Sequence, residues 1–160
     1  MTSHHKQTGV SLIEVMISIV IFSIGLMGMG ALQITALQTT SDSYLRTLAS
    51  FQAYDMAERM RANTAGVSAN LYNNISGTGT AVNCTPDCTP SEIATNDTFQ
   101  WNTKNASILP SGQGTVQGSG TGNLFTITIH WDDERMGATG LGCDTNNPAD
   151  LKCLTITLVL

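Results

Sequence analysis

The chain has 160 residues, with 7 basic and 12 acidic side chains and a formal net charge of −5. That length is enough for one domain with a real core. The acidic balance argues against the basic face that a nucleic-acid footprint needs, so no nucleic acid is expected as a partner. Charged residues make up only 12% of the chain, and none falls between Glu14 and Asp42, which separates an apolar N-terminal stretch from a polar remainder.

Residues 1–9, MTSHHKQTG, are polar and carry Lys6 but no acid. From Val15 to Leu32, eighteen residues pass with nothing more polar than Ser18 and Ser23. A helix needs about 20 apolar residues to cross the hydrocarbon of a bilayer, and the 23 residues of Val10–Leu32 suffice with some tilt. Lys6 on the N-terminal side predicts a cytoplasmic N-terminus, with everything after the span outside the cytoplasm. An ordinary secretory signal is the competing reading, and Gly28-Met29-Gly30 or Gly30-Ala31 offers a weak small-residue cleavage site for it. The helical pattern runs on smoothly past that point, which favours retention. A plain membrane anchor is the second competitor.

Glu14 separates these readings. A carboxylate at the centre of a spanning helix costs about 2.5–3.5 kcal/mol on insertion scales, less near an interface, and an intramembrane acid needs a partner. No Lys or Arg lies nearby on this helix. Cleavage after Gly9 creates one: the new α-amine of Val10, one helical turn from Glu14. Between chains the same pair neutralises two costly groups and sets an axial offset.

The helix is expected to continue to about Asn63. At about 100° per residue, Leu45, Leu48, Ala49, Met56 and Met60 share roughly a third of the circumference, with Tyr44 and Phe51 beside them. Core packing is the reading of this Met and aromatic stripe. Asp55 and Arg59 form an i,i+4 pair along its edge. Asn63-Thr64-Ala65-Gly66 supplies the stop. The organisation is therefore 1–9 as a leader, 10–32 as the spanning helix, 33–63 as its amphipathic continuation and 64–160 as a globular head.

Within the head, Ser76-Gly77-Thr78-Gly79-Thr80 reads as a loop. Ser91–Leu109 reads as a helix capped by Ser91, with Ile93, Phe99, Trp101, Ile108 and Leu109 on its apolar side. Gly112–Gly118 starts a strand. Leu124–Trp131 alternates in period two, with Phe125, Ile127, Ile129 and Trp131 on one face. Cys153–Leu160 repeats the pattern with Leu154, Ile156, Leu158 and Leu160. The two are expected to pair antiparallel across the loop 132–152 and to cover the helix stripe, giving an α+β head. All four cysteines, Cys84, Cys88, Cys143 and Cys153, lie in the C-terminal half. An even count behind an export signal favours disulfides. Three connectivities are open and the spacing does not choose among them; the local pairing of Cys84 with Cys88 and Cys143 with Cys153 is the expectation. A four-Cys zinc site is the rival. Cys-x3-Cys suits it, but Cys-x9-Cys does not, so no metal is expected.

Thr8-Gly9-Val10-Ser11-Leu12-Ile13-Glu14-Val15-Met16 resembles the type IV prepilin cleavage motif, which a dedicated membrane peptidase cuts after Gly before methylating the new amine. The resemblance implies Gly9 and Val10 as the cleavage site, Val10 as the methylated residue and Glu14 as the acid that engages a neighbour's amine. The family usually has Phe where this chain has Val10. The layout also resembles the pilin fold: a long N-terminal α-helix, transmembrane then amphipathic, packed on a small antiparallel sheet ended by a disulfide-bounded loop. Ser23–Gly28, Ala31-Leu32-Gln33, Asp55–Asn63, Leu109–Gly114 and Ile127–Asp132 are similar to PilV-type minor pilins. The implied partners are other major and minor pilins, the prepilin peptidase, an inner-membrane assembly platform and, before assembly, membrane lipid. The implied location is the bacterial inner membrane and then the cell-surface pilus.

No catalytic constellation is legible, and neither enzyme activity nor a cofactor is expected. His4 and His5 fall in the leader, which leaves His130 on the polar side of a strand, solvated or packed. No nucleophile elbow, phosphate loop or paired-histidine spacing occurs. Asp132, Asp133 and Glu134 read as a solvated acidic turn, and Asp144 and Asp150 as surface charge. The chain thus reads as a minor pilin that primes, caps or modulates a type IV pilus, serving biogenesis, adhesion and motility. A minor pseudopilin of a type II secretion system is the alternative, and a membrane-anchored envelope enzyme or binding domain is the rival from another class.

Overall fold

The computed structural model describes residues 9–85, 87–119 and 124–160. The expected leader, with His4, His5 and Lys6, lies outside the described residues except for Gly9. The chain divides into two compact units, 1–41 and 42–160, and each is described by itself.

In the first unit the helix α1 begins; it runs Leu12–Ala62. From Val15 to Leu32 it is apolar on every side, and large side chains such as Ile13, Phe22, Met27 and Leu32 are exposed. A helix that is hydrophobic all round needs an apolar surrounding rather than a single core face. Among the described residues α1 is the one helix long and apolar enough to cross a membrane. Its hydroxyls are satisfied internally: Ser18 donates to the Glu14 carbonyl and Ser23 to the Ile19 carbonyl, each at 2.7 Å.

In the second unit the remaining turns of α1 are followed by α2 (Thr64–Ser68), β1 (Asn74–Ile75), α3 (Pro90–Ile108), β2 (Gln113–Gly118), β3 (Leu124–Trp131) and β4 (Lys152–Val159). The strands form one antiparallel sheet in the order β1-β2-β3-β4. This is the α+β, pilin-like layout: a long N-terminal helix packed on a small antiparallel sheet. Phe125, Ile127, Ile129 and Trp131 are buried on one face of β3 and join Leu45, Ala49, Ala53, Met56 and Met60 of α1 in a single core. Asn63 ends α1 and caps α2, its side chain accepting from the Gly66 amide at 3.1 Å.

Three expectations change. The α1 stripe buries Leu45, Ala49, Met56 and Met60 as expected but also takes in Ala53, while Leu48 is only half-buried at its edge. Tyr44 and Phe51 accordingly point away from the core, at 62% and 66% exposure. Steps of about 100° place both more than a quarter turn from the stripe's centre. The cap of α3 is Thr89, not Ser91. Its hydroxyl accepts from the Glu92 amide, and the Glu92 carboxylate accepts from the Thr89 amide at 2.8 Å, with Pro90 opening the helix. This reciprocal capping box also holds the exposed Glu92 carboxyl below its usual range. Finally, α3 buries Ala94, Trp101, Asn102 and Asn105, while Ile93 and Phe99 are only half-buried. Two elements had no expectation, the short α2 and β1.

Trp101 is the pivot of α3. Its ring is fully buried and its indole N–H donates to the Gln52 carbonyl of α1 at 2.8 Å. Asn102 acts as a strand partner beside it: its side-chain oxygen accepts from the Gly114 amide at 2.6 Å, and its amide group donates to the carbonyls of Gly77 and Gly114. Gly114 is required there, because a Cβ would lie 2.2 Å from the Trp101 ring. Gly114→Ala is therefore expected to overpack this contact and to lower stability by about 1–3 kcal/mol. Urea unfolding followed by tryptophan fluorescence measures the loss.

Candidate assembly site

Gly9 and Val10 lie exposed ahead of α1. Ser11 opens the helix, its carbonyl accepting from the amides of Glu14 and Val15 at 3.0 and 3.3 Å. Glu14 sits in the first turn, where the exposed N–H groups of a helix start favour a negative charge. Val10 and Glu14 border one shallow apolar groove with Val15, Ser18, Ile19 and Phe22. The contrast along this face decides its chemistry. Ser18 and Ser23 are hydrogen-bonded within the helix, whereas the Glu14 carboxylate has no hydrogen-bond or ion-pair partner among the described residues. Its neighbours are aliphatic, and the nearest nitrogen that changes character on chain cleavage is that of Val10, now held in the peptide bond to Gly9.

The head carries its charge elsewhere. Arg59 donates to Asp55 at 3.0 Å, to Asp97 at 3.2 Å and to the Gln100 side chain at 3.1 Å. Burial works against its charge, but these two carboxylates more than compensate and raise its pKa. The same Asp97 accepts from the Tyr72 hydroxyl at 2.7 Å, and Asn63 donates to that hydroxyl at 3.0 Å. Burial and the Asp97 bond push the Tyr72 phenol well above its ordinary range. The arrangement ties the end of α1 to α3.

The cysteines pair Cys84–Cys88 and Cys143–Cys153. The second bridge anchors the loop 132–152 to β4. Asp132 and Asp133 differ from a solvated turn. Asp132 is buried and accepts from the Met136 and Gly137 amides at 3.2 and 2.7 Å. Asp133 accepts from the Trp131 indole at 3.1 Å and from Lys152 at 2.6 Å. Glu134 is exposed. Asp150 also has structural work, accepting from the Asp144 amide at 3.2 Å. These oxygens are committed to backbone amides, the Trp131 indole and one ammonium.

His130 is buried, at 3% exposure, with Nδ1 3.7 Å from the Cys143 sulfur and Nε2 3.4 Å from the Thr115 hydroxyl. The imidazole and the sulfurs of Cys143 and Cys153 cluster closely enough for a metal, but both sulfurs are tied up in the disulfide and offer no thiolate. Burial holds the His130 pKa below its ordinary 6.5. Its sign follows from linkage: the unfolded chain binds this proton more readily than the head, so the contribution is complete above 6.5 and declines as pH falls through that value. Unfolding midpoints across pH 4–8 are expected to drop on the acid side, and His130→Gln is expected to flatten that limb. An unchanged limb in the variant would assign the acid sensitivity to other groups.

Two family models match adjoining stretches of the chain. One, described as the prokaryotic N-terminal methylation motif, matches residues 4–30. The other, described as type IV pilin Tt1218, matches residues 31–99. No curated protein and no solved structure matches the chain significantly.

Proposed function

The chain is a type IV prepilin, and from that premise we propose that it is a minor pilin, inserted into a type IV pilus that it primes, caps or modulates. The observation that carries the reading is Glu14, a carboxylate with no partner among the described residues, at the head of the uncharged stretch 15–41 of α1 and one turn from Val10. Cleavage between Gly9 and Val10 by the prepilin peptidase frees the Val10 amine, which is then methylated. In the assembled fibre that amine on one subunit meets Glu14 on the next. The pair removes two charges from an apolar environment at once, which makes docking selective for one axial offset.

Before assembly the helix holds the subunit in the inner membrane. The N-terminus lies on the cytoplasmic side and the head in the periplasm, where the two disulfides persist. The assembly platform then passes it to major and minor pilins at the fibre base. The family points to a structural subunit rather than an enzyme. The PilV-like segments support the minor role, which has its own consequence: deletion alters pilus number or performance while fibres of the major subunit persist. Loss of secreted substrates on deletion, with pili intact, would instead assign the chain to a type II secretion machine.

Intact-mass measurement of the native protein is expected to show residues 1–9 missing and one methyl group on Val10. Glu14→Ala is expected to be processed normally yet to be absent from sheared pili, while Glu14→Asp retains partial incorporation. A native protein that keeps Met1–Gly9, or a Glu14→Ala variant incorporated at wild-type level, overturns the reading.

A further inference from the structure

The two ends of the sheet differ. β1 is two residues long, whereas β4 is an eight-residue strand with no neighbour beyond it among the described residues. The phase of the ladder shows which backbone groups that leaves free. The Ser119 amide donates to the Leu124 carbonyl at 3.0 Å, so in a regular antiparallel ladder Leu124, Thr126, Thr128 and His130 turn their backbone groups to β2. Phe125, Ile127, Ile129 and Trp131 then bond β4 through their register partners Leu158, Ile156, Leu154 and Lys152. Thr155, Thr157 and Val159 are left with N–H and C=O directed outward, and among the described residues nothing accepts from or donates to them.

Natural edges of this length carry guards: an inward charge, a proline, a bulge or a covering loop. From Cys153 to Leu160 there is no charge, no proline and no glycine, and Lys152 is already paired with Asp133. The row behind the edge is also incomplete. Phe125, Ile127, Ile129 and Trp131 on β3 are at most 2% exposed, but Leu154, Ile156 and Leu158 on the same face of β4 are only half-buried. One more strand would satisfy the outward backbone groups and finish burying that row.

We propose that β4 accepts an added strand from a different protein chain. Its chemistry is set by the edge: an extended segment of about six residues or more, aliphatic or aromatic at every second position toward Leu154, Ile156 and Leu158, small or hydroxylated on the other side, with no proline in register. A second copy of this chain fits less well. Pairing β4 with its own copy in one continuous face runs the strands antiparallel, which reverses α1 from one copy to the other, while both apolar helices need the same membrane. That choice of occupant rests on the membrane-anchored reading; the open edge itself does not.

The test uses the full chain in detergent and a synthetic peptide of the sequence Leu124–Trp131 flanked by lysines, since that segment already pairs with β4 on its inner side. The peptide is expected to slow amide exchange at Thr155, Thr157 and Val159 by about tenfold or more, read by NMR. Thr157→Pro removes an outward N–H and none of the β3 ladder. It is expected to keep the wild-type unfolding midpoint and lose the protection, and Val159→Pro serves if Thr157→Pro does not fold. Three results overturn the proposal: no slowing at millimolar peptide, slowing that survives the proline, or slowing that appears with protein concentration alone, which gives the edge to a second copy. None depends on the N-terminal mass or on Glu14, so this inference and the pilin reading fail separately.

Discussion

Ala49 and Ala53 are wholly buried and Ala57 nearly so, and the core between sheet and helix in the head depends on their size. Small side chains along one line of α1 leave room for the large Phe125, Ile127, Ile129 and Trp131 of β3 in the shared core, with Met56 and Met60 filling the remaining irregular space. Dense interiors tolerate neither a missing nor an extra methyl group well. The same constraint explains the outward aromatics. Tyr44, Phe51 and Tyr54, each at least 60% exposed, would hold the sheet off the helix if they faced it.

The polar interior is built to similar tolerances. Arg59, Asp55, Asp97, Tyr72 and Asn63 form a continuous hydrogen-bonded chain that joins the end of α1, the turn after α2 and α3. Its value lies in position more than in net stability, since partly exposed ion pairs contribute little. Arg59 has a planar donor fork that reaches two carboxylates at once, and this fixes α3 against the helix so that Trp101 meets Gly114. Asp132, Asp133 and the Cys143–Cys153 bridge fasten the long loop, and its Cys143 sulfur lies against His130. The acids that read as an open turn in sequence are the fasteners of that loop.

The fold was legible where periodicity was strong. The apolar run of α1 and the alternation in 124–131 and 153–160 each repeat one physical demand several times. The missed elements lack such repetition: α2 is five residues long and β1 two, so tertiary contacts alone determine them. The α3 start was misread although its signal was present, Thr89-Pro90-Ser91-Glu92 being a capping box with proline at the first helical position. The buried face of α3 was harder, because half of it is polar: Asn102 and Asn105 are buried for what they bond, which hydrophobic patterning does not register. At the candidate assembly site the reading rests almost wholly on the sequence motif. The structure contributed one comparison that sequence lacks, the bonded state of Ser18 and Ser23 beside the unbonded state of Glu14.

That comparison rests on a difference between two kinds of polar group. Hydroxyls can return their hydrogen bonds to the helix that bears them and so enter an apolar environment at small cost. A carboxylate cannot, since it only accepts and the helix has no spare donors beyond its first turn. Glu14 sits in that first turn, where the free N–H groups soften its burial without neutralising it. On the proposed reading, lipid then tolerates the segment, and a neighbour with a positive terminus is preferred to lipid. The β4 edge poses the same problem in backbone form: donors and acceptors that water can satisfy in an isolated head but that only another strand satisfies in a packed one. In both places the single chain is left with polar groups that another chain is better suited to complete than solvent or lipid.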